Sequence, residues 1–413
     1  MSELLNDVIV PENIFAGYIE KESVFKDKRV LTAAFIPEKI PHRENEIKQL
    51  TNILAPVLKG YTTNNAFIYG TVGTGKTICC RFVLSQLEEA AIAQSKNVKA
   101  LYLNCKMKRV ADTEYRLVAQ LLKGLGVSVP DTGLPTDVLY HKLFEKIDEK
   151  RQHIIIALDE IDSLVRKTGD GFLYSLTRMN SELKNASITT IGITNDVLFL
   201  EGLDVRVRSS LSEEELVFKP YDAVQLQDVL QERVFEGFRE DVVSPEVVSL
   251  CAAIAAQEHG DARRALDLLR IAGETAERNN DNKVTDLHVN EAQDKIDVER
   301  TIEVIKGQPK QSQAVLITII KLIEAQKKQG RWTDKRLLTG SVYESYRETC
   351  GRNNLKPLTQ RRVGDLISEL DMLGIISTKV ISKGRYGRTR EISLALNETI
   401  AHKAERILAD KFY

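Results

Sequence analysis

Four apolar runs divide the first half of the chain: Ala66 to Tyr69, Val98 to Cys105, His153 to Leu158 and Ile188 to Thr194. Each ends in a polar residue or a glycine, so each reads as a short strand buried on both faces, the pattern of a parallel sheet covered by helices. Helical spacing fills the intervals, with Ile47, Leu50, Ile53 and Leu54 on one face of a first helix. Ile78 to Ala93, Thr113 to Gly124 and Asp137 to Lys150 form the next three. From Phe218-Lys-Pro220-Tyr221 onward strand signals stop and amphipathic helical patterns run to about Val298. A linker falls near Lys306-Gly-Gln-Pro309. Beyond it Ala314 to Gln329, Val342 to Gly351 and Thr359 to Leu370 read as helices, the last with Val363, Leu366, Ile367 and Leu370 on its core face. Ile375 to Ile381 and Arg390 to Leu394 read as strands joined by the basic, glycine-flanked stretch Ser382 to Thr389, which completes a winged helix-turn-helix. The expected architecture is therefore α/β, with a parallel-sheet domain over 1–217, a helical domain over 218–298 and a winged-helix domain over 299–413.

The first strand runs into Gly70-Thr71-Val72-Gly73-Thr74-Gly75-Lys76-Thr77, which matches G-x-x-x-x-G-K-[ST] at every fixed position. A strand before such a loop and a helix opening at Ile78 turn backbone N–H groups and the positive helix end toward one anion, the arrangement that holds nucleotide phosphates. Lys76 would reach the β- and γ-phosphates of ATP, and Thr77 would offer its hydroxyl to Mg²⁺. Asp159 and Glu160 close the third run at the sheet's C-terminal edge, where open α/β sheets bind ligands. Asp159 suits the Mg²⁺ shell and Glu160 suits a base acting on water. Asn195 ends the fourth run at the same edge and would orient that water. Phe35-Ile-Pro37 and Pro41-His42-Arg43-Glu44 form a proline-stiffened segment placed to wall an adenine pocket, although Pro-His-Arg-Glu alone also reads as a helix start. Tyr221 joins the nucleotide-contacting set. In Leu203-Asp-Val-Arg206-Val-Arg208 the two arginines are either surface charges or donors to a neighbouring subunit's γ-phosphate. Gly260-Asp261 opens a helix carrying Arg263, an arginine placed to reach back to the nucleotide.

A chain of 413 residues exceeds one hydrophobic core, which agrees with two or three domains. No apolar run approaches the roughly 20 residues that span a bilayer, and Met1-Ser-Glu-Leu-Leu-Asn-Asp lacks a signal-peptide pattern, so no membrane partner and a cytoplasmic location are expected. Cys79, Cys80, Cys105, Cys251 and Cys350 show no metal-ligand spacing and read as reduced structural residues. The net charge of −1 conceals an asymmetry, because Arg352 to Arg390 holds nine Lys/Arg against three Asp/Glu. That region fits a polyanion, with Arg361 and Arg362 at the helix start and Lys383, Arg385, Tyr386 and Arg388 on the wing. A winged helix used for protein contacts is the alternative.

In their order, Pro41-His-Arg-Glu44, Gly70 to Thr77, Leu158-Asp-Glu-Ile-Asp162, Thr194-Asn195, Leu203-Asp-Val-Arg206-Val and Gly260-Asp-Ala-Arg263-Arg-Ala-Leu resemble the archaeal replication initiators related to the origin recognition complex and to cell division control protein 6. The resemblance covers nearly the whole chain. It implies an AAA+ ATPase domain with lid and winged helix, Asn195 as sensor 1, Arg263 as sensor 2 and Arg206 as arginine finger. Many AAA+ proteins place an arginine directly after a serine in the finger motif, whereas Ser210 follows Ser209 here, so Arg208 stays beside Arg206 as a candidate. About Lys106 to Thr136 would match the family's DNA-contacting insertion. The implied function is an ATP-dependent initiator that binds duplex origin DNA beside the nucleoid and helps recruit or load the replicative helicase, with other initiator subunits as possible neighbours. Slow, switch-like hydrolysis of ATP to ADP is implied with it. A nucleotide-regulated transcription factor and a clamp-loader-like assembly ATPase are the rival readings.

Overall fold

A computed structural model describes residues 22–32, 35–107, 113–130, 132–211, 213–328, 337–382 and 388–412. It divides into two compact units, Met1–Val289 and Asn290–Tyr413.

In the first unit β1 (Asn65–Gly70), β2 (Val98–Asn104), β3 (Gln152–Asp159), β4 (Ala186–Thr194) and β5 (Glu213–Phe218) form one parallel sheet in the order β2-β3-β4-β1-β5. Because side chains alternate along a strand, Phe67, Tyr69, Ile154, Ile156 and Leu158 enter one core and Ala66, Ile68, Ile155, Ala157 and Ile193 the other. Helices α1 (Glu44–Leu54) and α2 (Lys76–Ala93) cover the second face. The first is covered by α3 (Glu114–Gly124), α4 (Thr136–Asp148), α5 (Ile161–Thr168), α6 (Gly171–Glu182) and α7 (Val205–Leu211). Both faces are buried, which is why these strands read as continuous apolar runs. Gly192 of β4 lies opposite Phe67 in register, and a Cβ there would sit 2.4 Å from the Phe67 ring, so the glycine leaves room for that ring beside Phe199.

Strand β5 lies outside the sequence expectation. It begins Glu213-Glu214-Glu215, with only Leu216 and Phe218 buried, and it pairs on one side alone, to β1. Acidic residues on an edge strand block further pairing and also hide the strand from a hydrophobicity reading. Helix α3 sits inside the stretch expected to be a DNA-contacting insertion, and its Leu117, Val118, Leu121 and Leu122 are core residues beneath the sheet.

At the foot of β3, His153 is buried between two hydroxyls, Ser187 Oγ at 2.6 Å from Nδ1 and Thr189 Oγ1 at 2.8 Å from Nε2. Burial pushes its imidazole down to about 4 from the usual 6.5. The unfolded chain thus takes up a proton below pH 6.5 that the folded one refuses until about 4, and stability falls as pH drops through that window. Between pH 7 and 4.5 the expected contribution is about 2–3 kcal/mol. Denaturant unfolding of His153→Gln should show a correspondingly smaller loss over that interval than the parent chain.

The lid comprises α8 (Ala223–Gly237), α9 (Pro245–Gln257) and α10 (Ala262–Asn279), and the division between units falls within α11 (Asp286–Gly307). Asp222 caps α8 through a reciprocal bond with Gln225, and Asp261 caps α10 by accepting from the N–H groups of Arg263 and Arg264. Residues 22–32 pack on this lid. Phe25 lies against Phe238 with ring centroids 4.8 Å apart, Lys26 N–H donates to Gly237 O, and Val24 N–H donates to Glu277 Oε1 at 3.1 Å.

In the second unit α12 (Lys310–Lys328) is the central helix, with Ala314, Val315, Leu316, Ile317, Ile319 and Ile320 all inaccessible to solvent. Around it stand α13 (Thr339–Arg352), α14 (Gln360–Met372), α15 (Glu398–Phe412) and an antiparallel sheet ordered β6-β8-β7, from β6 (Leu337–Leu338), β7 (Ile376–Ser382) and β8 (Arg388–Leu394). Two elements, β6 and α15, were not expected from sequence. The first has only two residues and the second follows a strand without a glycine or proline signal. Among the described residues no helix is long and apolar enough to cross a membrane. All five cysteines are buried and unpaired.

Candidate functional site

The crossover that leaves β1 runs through α2 on one face of the sheet, whereas those leaving β3 and β4 run through α5, α6 and α7 on the other, and the C-terminal ends of β1, β3 and β4 meet at that switch. A cavity of about 210 Å³ opens there between sheet edge and lid. Of the residues expected from sequence it is lined by Pro41, Val72, Gly73, Thr74, Gly75, Lys76, Thr77, Ile78, Asp159, Glu160, Asn195, Tyr221 and Arg263.

Gly73, with φ +75°, touches the lid directly. A Cβ on it would lie 1.7 Å from Asp261 Oδ1, and its carbonyl accepts a hydrogen bond from Ala262 N–H at 3.2 Å. The loop and the first turn of α10 are therefore one contact surface. Lys76, 6% exposed, donates from Nζ to Gly70 O at 2.8 Å, Thr71 O at 2.6 Å and Asn195 Oδ1 at 2.9 Å. Gly70 and Thr71 thus meet the lysine through their carbonyls and do not line the cavity. Burial pushes the Lys76 ammonium down to about 8, with the Asp159 carboxylate opposing and the nearby Arg263 charge reinforcing.

Asp159 Oδ2 accepts from Thr77 Oγ1 at 2.9 Å and from Tyr102 Oη at 2.5 Å, while its Oδ1 accepts from Glu160 N–H. A hydroxyl and a carboxylate at this spacing are hard oxygen donors of the kind Mg²⁺ takes, so the residues present fit that ion. Glu160 has φ +54° and ψ +44°, a left-handed turn that carries the chain from β3 into α5, and its carboxylate lies 3.3 Å from Lys106 Nζ.

Arg43 and His42 do not line the cavity. Arg43 is buried behind the loop, where Nε donates to Thr74 O, Nη2 donates to Lys219 O and the guanidinium lies 3.8 Å over the Tyr221 ring. His42 pairs instead with Asp228 of α8 at 2.8 Å. Arg206 and Arg208 are exposed on α7, with Arg206 paired to Asp204 at 3.4 Å and away from this chain's own cavity.

Tyr102, Lys106, Arg81 and Arg233 were missed from sequence. The first two flank the end of β2, a strand beside β3 by register (Asn104 opposite Asp159), so reading each strand end together with its neighbour's carboxylates would have found them. Arg81 sits one helical turn beyond Thr77 and lines the cavity. Nothing in the sequence marks Arg233.

In the second unit Arg361 and Arg362 are exposed at the start of α14, where Thr359 Oγ1 accepts from Arg362 N–H. Arg362 Nη1 also lies 3.6 Å from Asp365 and 3.5 Å from Glu369. Arg388 begins β8, and Lys383, Arg385 and Tyr386 lie outside the described residues.

Three domain families match in sequence: an AAA domain over residues 59–196, a Cdc6 AAA+ ATPase-type lid domain over 227–294 and a CDC6 C-terminal winged helix domain over 303–404. The ORC1-type DNA replication protein of Thermococcus kodakarensis is 50% identical over 92% of this chain and 91% of its own length. ORC1-type DNA replication protein 1 of Archaeoglobus fulgidus is 47% identical over 95% and 93%. Among solved structures, the Aeropyrum pernix ORC1 protein in complex with DNA is 42% identical with a TM-score of 0.78, covering 95% of this chain and 98% of that one. The expected α/β architecture, an AAA+ parallel-sheet domain with a helical lid and a C-terminal winged helix, is the architecture found. By identity and coverage of both chains together, this chain belongs to the family of ORC1-type DNA replication proteins.

Proposed function

We propose that this chain is an ATP-dependent replication initiator that binds duplex origin DNA, changes state with its nucleotide and helps recruit or load the replicative helicase. The observation that carries the nucleotide half is the convergence on one cavity of the phosphate loop, Asp159, Glu160 and Asn195 from the sheet edge and Arg263 from the lid. Lys76 and the loop N–H groups bind the phosphates. Thr77 and Asp159 hold Mg²⁺, which when bound neutralises charge on the β- and γ-phosphate oxygens. Glu160 takes the proton as water attacks the γ-phosphorus and the bond to the β–γ bridging oxygen breaks, giving ADP and phosphate, with Asn195 orienting the water. Arg263 reports the γ-phosphate to the lid through α10. Arg206 on the outer helix α7, with its neighbour Arg208 as the alternative, serves a neighbouring subunit's nucleotide as arginine finger. Slow turnover suits a switch whose bound states must persist.

For DNA, the family membership, the basic winged helix and the solved complex of the Aeropyrum pernix relative support an α14 that reads the major groove and a wing that follows the backbone and minor groove. Arg361 and Arg362 would reach guanine edges, each bidentate pair giving about 1–3 kcal/mol of discrimination. Arg362 must first leave Asp365 and Glu369, so Arg361 is the stronger reader. Arg361→Ala should narrow the affinity gap between origin and random duplexes. Arg385→Ala or Arg388→Ala should weaken both alike and reduce the salt slope by about one unit per lost phosphate contact. Affinities for both duplexes across a salt series test this, and wing variants that lose only origin binding would reverse the two roles. Sequencing the genomic DNA retained by the protein separates an initiator, bound at few replication starts, from a regulator bound at promoters.

A further inference from the structure

One end of the cavity holds a charge that phosphate binding leaves unused. Arg233 of α8 is 7% exposed, and its Nη1 is fully buried without a hydrogen-bond partner. Its Cζ lies 4.9 Å over the ring of Phe35. Burial pushes the guanidinium below its usual range, and the carboxylates that act on it, Glu236 and Glu232, belong to its own helix. Among the described residues no carboxylate is within ion-pair distance of it. A buried guanidinium donor with no acceptor is costly, so a chain that keeps one in a ligand cavity has its acceptor arriving from outside.

The position of Arg233 says which part of a ligand brings that acceptor. Phe35 lies on its guanidinium and Val229 precedes Arg233 by one turn of α8. Ile36, Pro37 and Ile40 of the segment that carries Phe35 line the same cavity, which also holds Glu232, the phosphate-loop residues Gly73 to Thr77, the sheet-edge residues Asp159, Glu160 and Asn195, and Arg263. A nucleotide whose phosphates sit on the loop offers its nucleoside to these apolar residues. The acceptors of a purine nucleoside are ring nitrogens and ribose hydroxyl oxygens. The ring of Phe35 fixes the guanidinium by a cation–π contact, which keeps the donor in place before ligand arrives.

We infer that Arg233 is a specificity-determining residue of the nucleotide site, its guanidinium donating a hydrogen bond to a nucleoside acceptor, a purine ring nitrogen or a ribose hydroxyl, while Phe35 holds it in position. This rests on the nucleotide-binding reading of the cavity. It gives the lid helix α8 a direct contact with the nucleoside, alongside the phosphate contact expected of Arg263.

The test is calorimetric titration of the full chain with Mg²⁺-ADP and with Mg²⁺-pyrophosphate, in the parent and in Arg233→Met, which keeps the side-chain length and removes every donor. A lost hydrogen bond to a charged group corresponds to about 10- to 100-fold in affinity. That loss is expected for ADP, with pyrophosphate binding unchanged. Without ligand, Arg233→Met should unfold at the same temperature as the parent or higher, because it removes an unpaired buried charge, and its stabilisation by ADP should shrink. Titration of the parent with 1-deaza-, 3-deaza- and 7-deaza-ADP and with 2′-deoxy- and 3′-deoxy-ADP identifies the acceptor: the analogue that lacks it should bind the parent as weakly as ADP binds Arg233→Met, and combining that analogue with the variant should add no further loss. Unchanged ADP affinity in Arg233→Met, or equal losses of ADP and pyrophosphate, would overturn the inference. A parent chain that bound neither ligand would overturn the nucleotide reading as well.

Discussion

Glu160→Gln is expected to lower ATP turnover by about 10²–10⁴-fold, the usual contribution of a positioned general base, while leaving ATP affinity essentially unchanged. The asymmetry follows from the geometry. Lys76, Thr77 and Asp159 hold the phosphates and the metal through contacts that do not involve the Glu160 carboxylate, whose only ion pair among the described residues is with Lys106. An amide keeps the shape of that side chain and its left-handed backbone turn, yet cannot take a proton from water. Single-turnover hydrolysis measured beside equilibrium ATP binding separates the two effects, and a variant with normal turnover would remove Glu160 from its assigned role.

Replacing Lys76 by methionine acts earlier, on binding. The ammonium makes several charge-assisted hydrogen bonds when phosphates replace its present carbonyl and amide partners, each contributing about 1.5–3 kcal/mol, so the expected loss of ATP or ADP affinity is about 10²-fold or more. The parent chain carries a second signature that the variant lacks. Burial holds the free Lys76 at about 8, and bound phosphate anions favour the charged form. Above pH 8 nucleotide binding must therefore take up a proton, and affinity should fall by up to about tenfold per pH unit; below pH 8 the same group leaves it flat. In Lys76→Met the profile between pH 7 and 9.5 should lose that bend. A bend that persists in the variant would assign the titration to another group.

Much of the sheet and most of the cavity were legible because their signals are local. A strand such as Ala66–Tyr69 ending in glycines, and an apolar run ending in Asp159-Glu160, each announce position and chemistry within ten residues. The missing parts depend on partners distant in sequence. Strand β5 exists because Leu216 and Phe218 fit beside β1, and its three glutamates mask it. His42 and Arg43 were placed near a base pocket by their prolines, yet Arg43 has its acceptors at Thr74 and Lys219, behind the loop, and His42 finds Asp228 on the lid. Arg233 carries no pattern at all, since an arginine in an amphipathic helix ordinarily lies in water and only the fold shows this one buried beneath Phe35. Within the stretch from Lys106 to Thr136 the helix expected over Thr113 to Gly124 is present as α3, and the fold adds that its Leu117, Val118, Leu121 and Leu122 face the core.

The attachment of residues 22–32 to the lid bears on the order in which the molecule is made. Val24 and Glu277, which share a hydrogen bond, are separated by 253 positions, and Phe25 meets Phe238 only after the entire sheet domain has been synthesised between them. On a ribosome the chain emerges at about 5–20 residues per second and domains fold as units from the N-terminus. The sheet domain can therefore close while its leading segment still waits, with Val24, Phe25, Val30 and Leu31 exposed, for some tens of seconds until α8 and α10 appear. That interval is a window in which those apolar residues are open to chaperones or to a neighbouring nascent chain, and docking of the lid ends it.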